Sequence, residues 1–356
     1  MTTIKEVAAR AGVSSATVSH VINNTRYVSD VVKQRVQESM NEMGYRPNAL
    51  ARSLRQGKTQ TLGLILPDSS NPFYAELGHA LEKSAFLKNY NVILCNTDSS
   101  IAREHLYFDL LLDKQVDGII LNTEEKDPHD IKKRLPVGYP IVLVDRDFSE
   151  NIFDTVLTDN ILGGYLATRY LIELGHRRIA CVTGPMSFWG AVNRLQGYQK
   201  ALAEFGLPEI TNSIYYGDFT AGSGHEAAHH LLKLPELPTA VFVGNDMMAI
   251  GFLRSSIEMN FRIPEDISIV GFDNLELSMY MHPTITSFAQ PKEEIGEKTI
   301  QLLLERIENP KAPPQRILIP PRLIIRESTS VLCKSPDIIT NFHRNTNHYP
   351  KETGNE

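Results

Sequence analysis

The amino-terminal stretch from Thr2 to Lys58 constrains the fold most, because its spacing predicts short helices joined by a tight turn. Thr3-Ile4-Lys5-Glu6 has the pattern of a capping box, in which the threonine oxygen and the glutamate carboxylate each satisfy a backbone N–H at a helix start. The apolar residues of this first helix share one face: Ile4, Val7, Ala8 and Ala11. Gly12-Val13-Ser14 then predicts a turn, with Ser14 capping a second helix.

The second predicted helix is short and has two different faces. Its inward face carries Val18, Val21 and Ile22. The residues on its outward face are small or polar: Ser15, Ala16, Ser19, His20 and Asn23. Such a helix can enter the major groove of DNA, because bulky residues would hold it away from the base edges. Ser29 is predicted to cap a third helix, whose inward residues are Val32, Val36, Met40 and Met43. The pattern is that of a helix-turn-helix.

The charge is distributed unevenly along the chain. The 356 residues carry a formal net charge of −6. Residues 1–60 contain nine Lys or Arg and four Asp or Glu, a net charge of +5, which leaves −11 for the remainder. A basic head on an acidic body places phosphate contacts at the amino terminus, so we predict that the head binds double-stranded DNA.

The segment between Pro47 and Thr61 is predicted to be a hinge. Residues 48–55 are compatible with a helix of about two turns, which is too short to persist alone in water. A basic segment that folds only when something packs on it suits a switch that is coupled to DNA. A plain interdomain linker is the alternative.

From residue 61 onwards, apolar runs alternate with amphipathic stretches of helical length. One series of runs lies at 61–66, 91–95, 116–121 and 140–144, and a second at 178–182, 213–216, 240–243 and 267–271. Alternation at this spacing predicts parallel sheets that are covered on both faces. The fold class expected is α/β, with two doubly wound subdomains and a cleft between them.

Ligands of open α/β sheets bind beyond the carboxyl ends of the strands. The residues that follow the predicted strands are mostly polar or aromatic: Pro67, Asp68, Asn71, Phe73, Tyr74, Asp145, Arg146, Gly184, Arg194, Asp218, Phe219, Asn245, Asp246, Asp273 and Asn274. Gln290 lies where the chain is predicted to cross back. Carboxylates, arginines and aromatic faces together suit a polyhydroxylated ring. Each Asp or Asn taken singly could equally be a helix N-cap.

Two stretches resemble the lactose/galactose repressor family, with the purine and ribose repressors nearest: TIKEVAARAGVSSATVSHVINNTRYVS and YRPNALARSLRQGKTQTLGLI. The resemblance runs from residue 2 to about Ser328. It implies a cytoplasmic transcription repressor that binds a pseudo-palindromic operator as a homodimer. The parts expected are a helix-turn-helix domain (1–46), a hinge (47–60), an effector-binding and dimerisation domain (61–333) with chain crossings near 160, 290 and 320, and a disordered tail (334–356).

The outward face and the resemblance together imply which residues contact DNA. Ser15, Ala16 and His20 are expected to set base preference. The other expected contacts are Thr17, Asn23, Arg26, Tyr45, Arg52 and Arg55. In the family, the leucine that matches Leu54 wedges into the minor groove at the operator's centre, which kinks the duplex.

The body also resembles the periplasmic ribose-binding protein, and this resemblance implies the effector contacts. The matching residues are Phe73, Tyr74, Asp145, Arg146, Arg194, Phe219, Asn245, Asp273 and Gln290. One departure is Ser187-Phe188-Trp189-Gly190, where Trp189 could narrow the pocket or add a stacking face. Ribose or a related sugar is favoured as effector. A hexose, a pentitol, or a purine base or nucleoside acting as corepressor is the alternative, and the sign of the response stays open.

An enzymatic alternative arises from His225-Glu226-Ala227-Ala228-His229, which matches the H-E-x-x-H zinc motif. No suitable third ligand follows it in the sequence, so we interpret the match as accidental and expect neither catalysis nor a cofactor. No apolar run approaches the length of a membrane span. Cys95, Cys181 and Cys333 are expected to be reduced buried thiols.

Overall fold

The computed structural model describes residues 2–23, 25–45 and 57–332. The chain divides into two compact units, Met1–Gln60 and Thr61–Glu356. The predicted hinge helix (48–55), Cys333 and the predicted disordered tail (334–356) lie outside the described residues.

The amino-terminal unit contains three described helices: α1 (Ile4–Ala11), α2 (Ser15–Asn23) and α3 (Asp30–Glu42). The capping box predicted at Thr3 and Glu6 is confirmed. The Ser14 hydroxyl accepts a hydrogen bond from the Thr17 N–H at 3.1 Å, so the second predicted cap is confirmed as well.

The helix start predicted at Ser29 is correct, but the predicted cap by its side chain is wrong. Ser29 occupies the N-cap position of α3, but its side chain makes no capping hydrogen bond. Its backbone carbonyl closes the first turn instead, by accepting from the N–H groups of Val32 and Lys33. Ser29 is exposed, so water can satisfy the N–H groups that its hydroxyl leaves unpaired.

The core of this unit is formed by the faces that the sequence predicts. The buried residues are Val7, Ala8, Ala11, Val18, Val36 and Met40. The partly buried residues that pack against them include Ile4, Val21, Ile22, Val32, Met43 and Tyr45. Three helices with one shared apolar core, joined by a tight turn after α1, are a helix-turn-helix.

The second unit contains two six-stranded sheets, which define two lobes. The first lobe has the strand order β11-β5-β4-β3-β1-β2. Its strands are β1 (Thr61–Leu66), β2 (Asn91–Asn96), β3 (Gly118–Leu121), β4 (Ile141–Val144), β5 (Asp154–Thr158) and β11 (Arg316–Ile319). The second lobe has the order β12-β10-β9-β8-β6-β7. Its strands are β6 (Ile179–Thr183), β7 (Ile214–Tyr216), β8 (Ala240–Val243), β9 (Ser268–Asp273), β10 (Thr286–Ala289) and β12 (Arg322–Ile324).

Helices cover these sheets. They are α4 (Pro72–Phe86), α5 (Ile101–Asp113), α6 (Pro128–Arg134), α7 (Asn160–Glu173), α8 (Trp189–Glu204), α9 (Ala221–Leu231), α10 (Asp246–Glu258) and α11 (Lys292–Glu308), with a 3₁₀ turn at Glu276–Met279. Among the described strands, all pairs are parallel except β10 with β12. The predicted fold class is therefore confirmed.

The eight predicted strands are all present, with ends that differ by at most two residues. Four strands were not predicted: β5, β10, β11 and β12. They have three to five residues each, and most of them flank the points where the chain passes between lobes. β11 and β12 pair with strands that are distant in sequence, which a local apolar pattern does not reveal.

The chain passes between the lobes three times: after β5, after β10, and between β11 and β12. Helix α11 follows β10 of the second lobe but packs on strands of the first sheet. The loops beyond the carboxyl ends of strands in both sheets line a common cavity.

Helices α7 and α8 pack closely because glycine allows their backbones to meet. A Cβ atom on Gly164 would lie 2.0 Å from the backbone oxygen of Arg194. A Cβ atom on Gly197 would lie 2.2 Å from the backbone oxygen of Ile161. Only glycine fits at such a contact, and this contact fixes the position of α8 at Arg194.

Two of the three cysteines lie among the described residues. Cys95 and Cys181 are buried free thiols, as predicted. Burial raises the pKa of Cys95 to about 11 and raises that of Cys181 further. Both thiols are therefore protonated at neutral pH and act as small apolar residues.

Candidate functional site

A single cavity between the two lobes brings together all ten residues that were predicted to contact the effector. Its volume is about 220 Å³. The predicted residues that line it are Phe73, Tyr74, Asp145, Arg146, Trp189, Arg194, Phe219, Asn245, Asp273 and Gln290. The volume is below the range of about 300–1,000 Å³ that is usual for drug-sized ligands, so the cavity suits a small solute.

Arg194 is held on the second lobe with its guanidinium facing the cavity. Its Nε donates to Asn160 Oδ1 at 2.8 Å, and its Nη1 donates to the carbonyl of Gly244 at 2.6 Å. The guanidinium also lies over the ring of Phe272, 4.0 Å from the centroid. No described protein group accepts from Nη2, which leaves this atom available to a ligand. The fork of donors is therefore oriented before a ligand binds.

Asp273 lies next to this arginine at the end of β9. Its Oδ1 is 3.7 Å from Arg194 Nη1 and accepts from Gln290 Nε2 at 2.7 Å. Gln290 in turn accepts from the Thr158 hydroxyl at 2.7 Å. Thr158 ends β5 and Gln290 follows β10, so both lie where the polypeptide passes between the lobes. These hydrogen bonds therefore connect two of the crossing segments to the carboxylate of Asp273.

Asp145 contributes a carboxylate from the first lobe. Burial raises the pKa of Asp145 to about 6, and Asp273 adds to the rise while Arg194 opposes it. The Tyr74 hydroxyl lies 3.5 Å from Asp145 Oδ2. Asp145 and Arg194 thus interact electrostatically across the cleft, from opposite lobes.

Four cavity residues other than glycine have a left-handed backbone. The φ angles are 53° at Ser99, 54° at Asp145, 69° at Phe219 and 103° at Asp273. This conformation costs on the order of 1–3 kcal/mol for such residues, and it persists where the surrounding structure enforces it. Asp145 directly follows β4 and Asp273 is the last residue of β9, so both side chains reach the cavity at the ends of their strands.

Aromatic rings form two walls. On the first lobe, Phe73 and Tyr74 meet edge to face with centroids 5.2 Å apart. On the second lobe, Phe188 and Phe219 meet edge to face at 5.5 Å. Trp189, the single tryptophan of the chain, lines the cavity beside Phe188. A Cβ atom on Gly184 would lie within 2.3 Å of the Phe219 ring, so glycine is needed for that ring to reach its place.

Two predicted strand-end residues make local hydrogen bonds as well as lining the cavity. Asn245 Oδ1 accepts from the Met248 N–H at 2.9 Å and so caps α10, and its Nδ2 donates to the Phe219 carbonyl. Asp218 Oδ1 accepts from the backbone and the hydroxyl of Thr220. The N-cap alternative is therefore correct for Asn245, whose side chain also supports Phe219.

Asp246 lies behind Asp273 and is fully buried. Its carboxylate accepts from the hydroxyls of Ser278 and Ser287 and from the Leu275 N–H, at 2.7 to 2.8 Å. Burial, aided by the nearby charge of Asp273, raises the pKa of Asp246 to about 7. This residue anchors the segment that follows β9 rather than facing a ligand.

The prediction missed the residues that follow β3. Asn122, Thr123 and Glu124 also line the cavity, as does Ser99, which follows β2. Three buried side-chain atoms on this wall have no hydrogen-bond partner: Asn122 Nδ2, Glu124 Oε1 and Arg146 Nε. The rule on strand ends would have found Asn122 and Glu124 if it had been applied to β3, since they directly follow its last residue.

The zinc motif lies on α9, away from this cavity. The two histidine rings are neighbours, with centroids 4.9 Å apart, but His225 Nε2 pairs with Glu258 at 3.1 Å. Glu226 accepts from the Tyr215 hydroxyl at 3.0 Å. Among the residues that the structure describes, no three His, Cys, Asp or Glu side chains are placed to hold a metal ion.

The outward face of α2 is the candidate nucleic-acid interface. Ser15, Ala16, Thr17, His20 and Asn23 are all partly or fully exposed. The His20 ring is oriented by a 2.8 Å contact between Nδ1 and the Thr25 hydroxyl. The Thr17 hydroxyl contacts Ser14, and the Asn23 amide donates to the Ser19 carbonyl, so these two side chains are partly engaged within the unit.

The remaining predicted DNA contacts differ in their surroundings. Arg26 is exposed, whereas Tyr45 packs partly against the core of the head. Arg52, Leu54 and Arg55 lie outside the described residues.

Comparison with known families matches both units. Residues 3–48 match the bacterial regulatory proteins of the lacI family. Residues 59–327 match the periplasmic binding proteins and sugar binding domain of the LacI family. The chain belongs to the lacI family. This family assignment makes the protein a DNA-binding transcription regulator and not an enzyme.

Several relatives of this lacI-family regulator cover nearly its whole length. The ribose operon repressor of Escherichia coli (strain K12) is 41% identical over 330 residues, which are 92% of this chain and 100% of the relative. The HTH-type transcriptional repressor PurR of Edwardsiella ictaluri (strain 93-146) is 40% identical over 93% of this chain and 97% of its own length.

Solved structures of relatives also match. The lac repressor dimer bound to operator and the anti-inducer ONPF superimposes with a TM-score of 0.84 at 28% identity, over 92% of this chain and 99% of that one. A LacI family transcriptional regulator from Enterococcus faecium with bound ribose gives a TM-score of 0.68 at 34% identity, over 77% of this chain and 100% of that one. In the described part of this lacI-family chain, no helix has the length and apolar character needed to cross a bilayer.

Proposed function

We propose that this regulator represses a sugar-utilisation operon and that a small sugar, ribose or a relative of it, binds between its lobes. The observation that carries the proposal is the arrangement of Asp145 on one lobe and Arg194 with Asp273 on the other. Carboxylates and an arginine fork form charge-assisted hydrogen bonds to hydroxyls, and the aromatic walls suit the C–H faces of a sugar ring. A ribose-bound relative supports the same ligand class.

The charge of the cavity favours a neutral ligand. Five carboxylates line it, against two guanidiniums. The carboxylates are Asp68, Glu124, Asp145, Asp218 and Asp273, and the guanidiniums belong to Arg146 and Arg194. An excess of negative charge in a partly buried site opposes a phosphorylated sugar. The free sugar is therefore the expected effector.

For DNA, we propose a homodimer on a pseudo-palindromic operator in the cytoplasm. One helix-turn-helix buries too little surface for tight specific binding, and two-fold protein symmetry mirrors operator symmetry. Ser15, Ala16 and His20 would read bases, while Asn23, Arg26, Tyr45 and Arg52 would hold the backbone and Leu54 would enter the minor groove. Apolar side chains such as Leu94 and Leu106, which are 52% and 68% exposed at the outer edge strand β2 and on α5, offer a surface for a second copy.

The proposed switch follows from the two-lobed cavity. A ligand shifts DNA affinity only through its different affinity for two arrangements of the body, typically by about 1–3 kcal/mol of coupling. A sugar held by Asp145 and by Arg194 favours closure of the lobes. Closure would shift residues 61–70 relative to the same residues of the second copy, and the short hinge would lose its helical structure. We favour release of the operator on binding sugar.

The alternative is a corepressor response to a purine base or nucleoside. It is supported by the 40% identity to PurR relatives over almost the whole chain. A purine offers ring faces to the aromatic walls. The purine-bound form of the regulator would favour DNA binding rather than oppose it.

Trp189 provides a direct test, because it is the single tryptophan and lines the cavity. The purified full chain would be titrated with free sugars, sugar phosphates and purine bases while tryptophan emission is followed. A saturable change with a free sugar, absent with its phosphate and absent in Arg194→Ala, is expected. A change with purine bases alone would favour the corepressor alternative, and no change with any sugar by emission or by calorimetry would contradict the proposal.

A further inference from the structure

The residues that follow β3 form one wall of the cavity. This wall contains buried polar atoms that have no hydrogen-bond partner in the protein. Asn122 is 4% exposed, and its Nδ2 has no partner. Glu124 Oε1 is likewise buried without a partner. A buried polar atom without a partner is costly, so such atoms in a ligand cavity indicate where a ligand bonds.

This wall is built rigidly from behind. Glu104 on α5 is 1% exposed; it accepts from the Thr123 hydroxyl at 2.6 Å and from the Glu124 N–H at 3.3 Å. The Glu125 carbonyl accepts from Arg146 Nη2 at 2.8 Å, which joins the wall to the end of β4. The side chain of Thr123 is therefore turned toward Glu104, between two neighbours that line the cavity.

The two unused atoms have opposite hydrogen-bonding character. Asn122 Nδ2 is a donor, and Glu124 Oε1 is an acceptor. Burial raises the pKa of Glu124, while contacts with Ser99 and Arg146 oppose the rise. A hydroxyl group both accepts and donates, so its bonding character matches both atoms.

The ring hydroxyls of a sugar have other partners. Arg194 Nη2 and the carboxylate of Asp145 face the cavity from opposite lobes, and Asp273 Oδ2 is the second oxygen of a carboxylate whose Oδ1 is already bonded. Asn122 and Glu124 add hydrogen-bonding capacity to this set. The additional hydroxyl would be one that projects from the ring.

We propose that Asn122 and Glu124 form a subsite for the hydroxymethyl group of a hexose, so that the cavity prefers a hexose to the pentose with the same ring configuration. This inference rests on the proposed function, because it concerns which free sugar occupies the same cavity. A pentose would leave the amide and the carboxylate unpaired, and a site built to bond a hydroxyl rejects an analogue that lacks it.

The test compares sugars that differ by a single hydroxymethyl group: ribose with allose, xylose with glucose, and L-arabinose with D-galactose. Calorimetry on the full-length wild-type chain should show the tightest binding with a hexose, by about tenfold or more over its matched pentose. A pentose that binds as tightly as its matched hexose, or more tightly, overturns the inference but leaves the proposed function intact. Absence of binding by every sugar overturns both.

Variants assign the preference to the subsite. Glu124→Gln keeps the size of the side chain but removes its charge, and it should weaken hexose binding by about tenfold while changing pentose binding by less than about threefold. The matched control is Glu125→Gln, because the carboxylate of Glu125 pairs with His105 rather than lining the cavity, and it should change neither. An equal loss for hexose and pentose in Glu124→Gln, or no loss at all, overturns the assignment. Should Glu124→Gln fold poorly, the wild-type comparison of matched sugars decides.

Discussion

Arg194 and Asp273 face each other inside the cavity, with Nη1 of the arginine 3.7 Å from Oδ1 of the aspartate. Both side chains are almost completely buried. Each is held by neutral partners, Asn160 and Gly244 for the arginine and Gln290 for the aspartate. The pair is therefore in place before a ligand arrives, and removal of either charge leaves the other uncompensated.

Asp273→Asn should weaken sugar binding without unfolding the protein. Asparagine tolerates the left-handed backbone at this position and keeps the size of the side chain. Loss of the charge should cost about 1.5–3 kcal/mol of binding free energy, or roughly 10–150-fold in affinity. Calorimetry with the best sugar measures this. The matched control is Asp218→Asn, which alters a cavity carboxylate that is engaged in its own turn and should change affinity little. Equal losses in both variants would contradict the role given to Asp273.

Burial of Asp246 should give a contribution to stability that falls as the pH rises from about 4 to about 7. The pKa of Asp246 is raised from 3.8 to about 7 in the folded chain, so the fold favours the protonated form. The stabilisation is complete below the pKa of the unfolded chain and is lost as the pH passes through the folded value. Asp145, whose pKa is about 6, contributes with the same sign.

Thermal unfolding of Asp246→Asn should show a flatter pH profile than wild type. Asp266→Asn, at an exposed carboxylate with a lowered pKa, should keep the wild-type slope in this window. If Asp246→Asn keeps that slope too, the buried carboxylate does not cause it.

His20 and Arg26 should differ in what they contribute to DNA binding. His20→Ala should relax base preference at one position of each half-site, at a cost of roughly 1–3 kcal/mol for the preferred base. Arg26→Ala should weaken all sequences alike and lower the salt slope by about one unit. Selection from a randomised site library, followed by titrations at several salt concentrations, separates the two effects. An unchanged preferred sequence in His20→Ala would show that the reading face is wrongly assigned.

The oligomer should be a dimer with or without the tail. Leu106→Glu places a charge on an exposed apolar side chain of α5 and should shift the dimer toward monomer in sedimentation experiments. Val137→Glu is the control at a second exposed apolar residue and should leave the dimer intact. Truncation after residue 333 should change nothing. A tetramer that is lost on truncation, or a monomer on DNA, would be inconsistent with this assembly.

Much of the fold could be predicted because the central strands are apolar and regularly spaced. The run at 61–66 and the run at 240–243 coincide with β1 and β8. Strands β11 and β12 were missed because they are short and pair across chain crossings. A local pattern contains no information about such partners.

The site was predicted through one topological rule, that ligands lie beyond the carboxyl ends of parallel strands. The rule predicts that Asp145 and Asp273 lie at the cavity. It does not predict which protein groups the neighbouring cavity residues contact. That the Asn245 amide also bonds the Phe219 carbonyl, and that a close contact at Gly164 fixes Arg194, depend on packing between distant segments. These facts become visible only in three dimensions.

The most direct test of the account measures operator binding as a function of sugar concentration. Fluorescence anisotropy of a labelled operator, obtained by selection, would be followed for wild type and for Arg194→Ala. Wild type should release the operator as sugar is added, with a change of about 5–150-fold in apparent affinity. Arg194→Ala should bind the operator nearly as well as wild type without sugar and should not respond to it. If Arg194→Ala still responds at the wild-type sugar concentration, the effector does not bind in this cavity and the central claim is wrong.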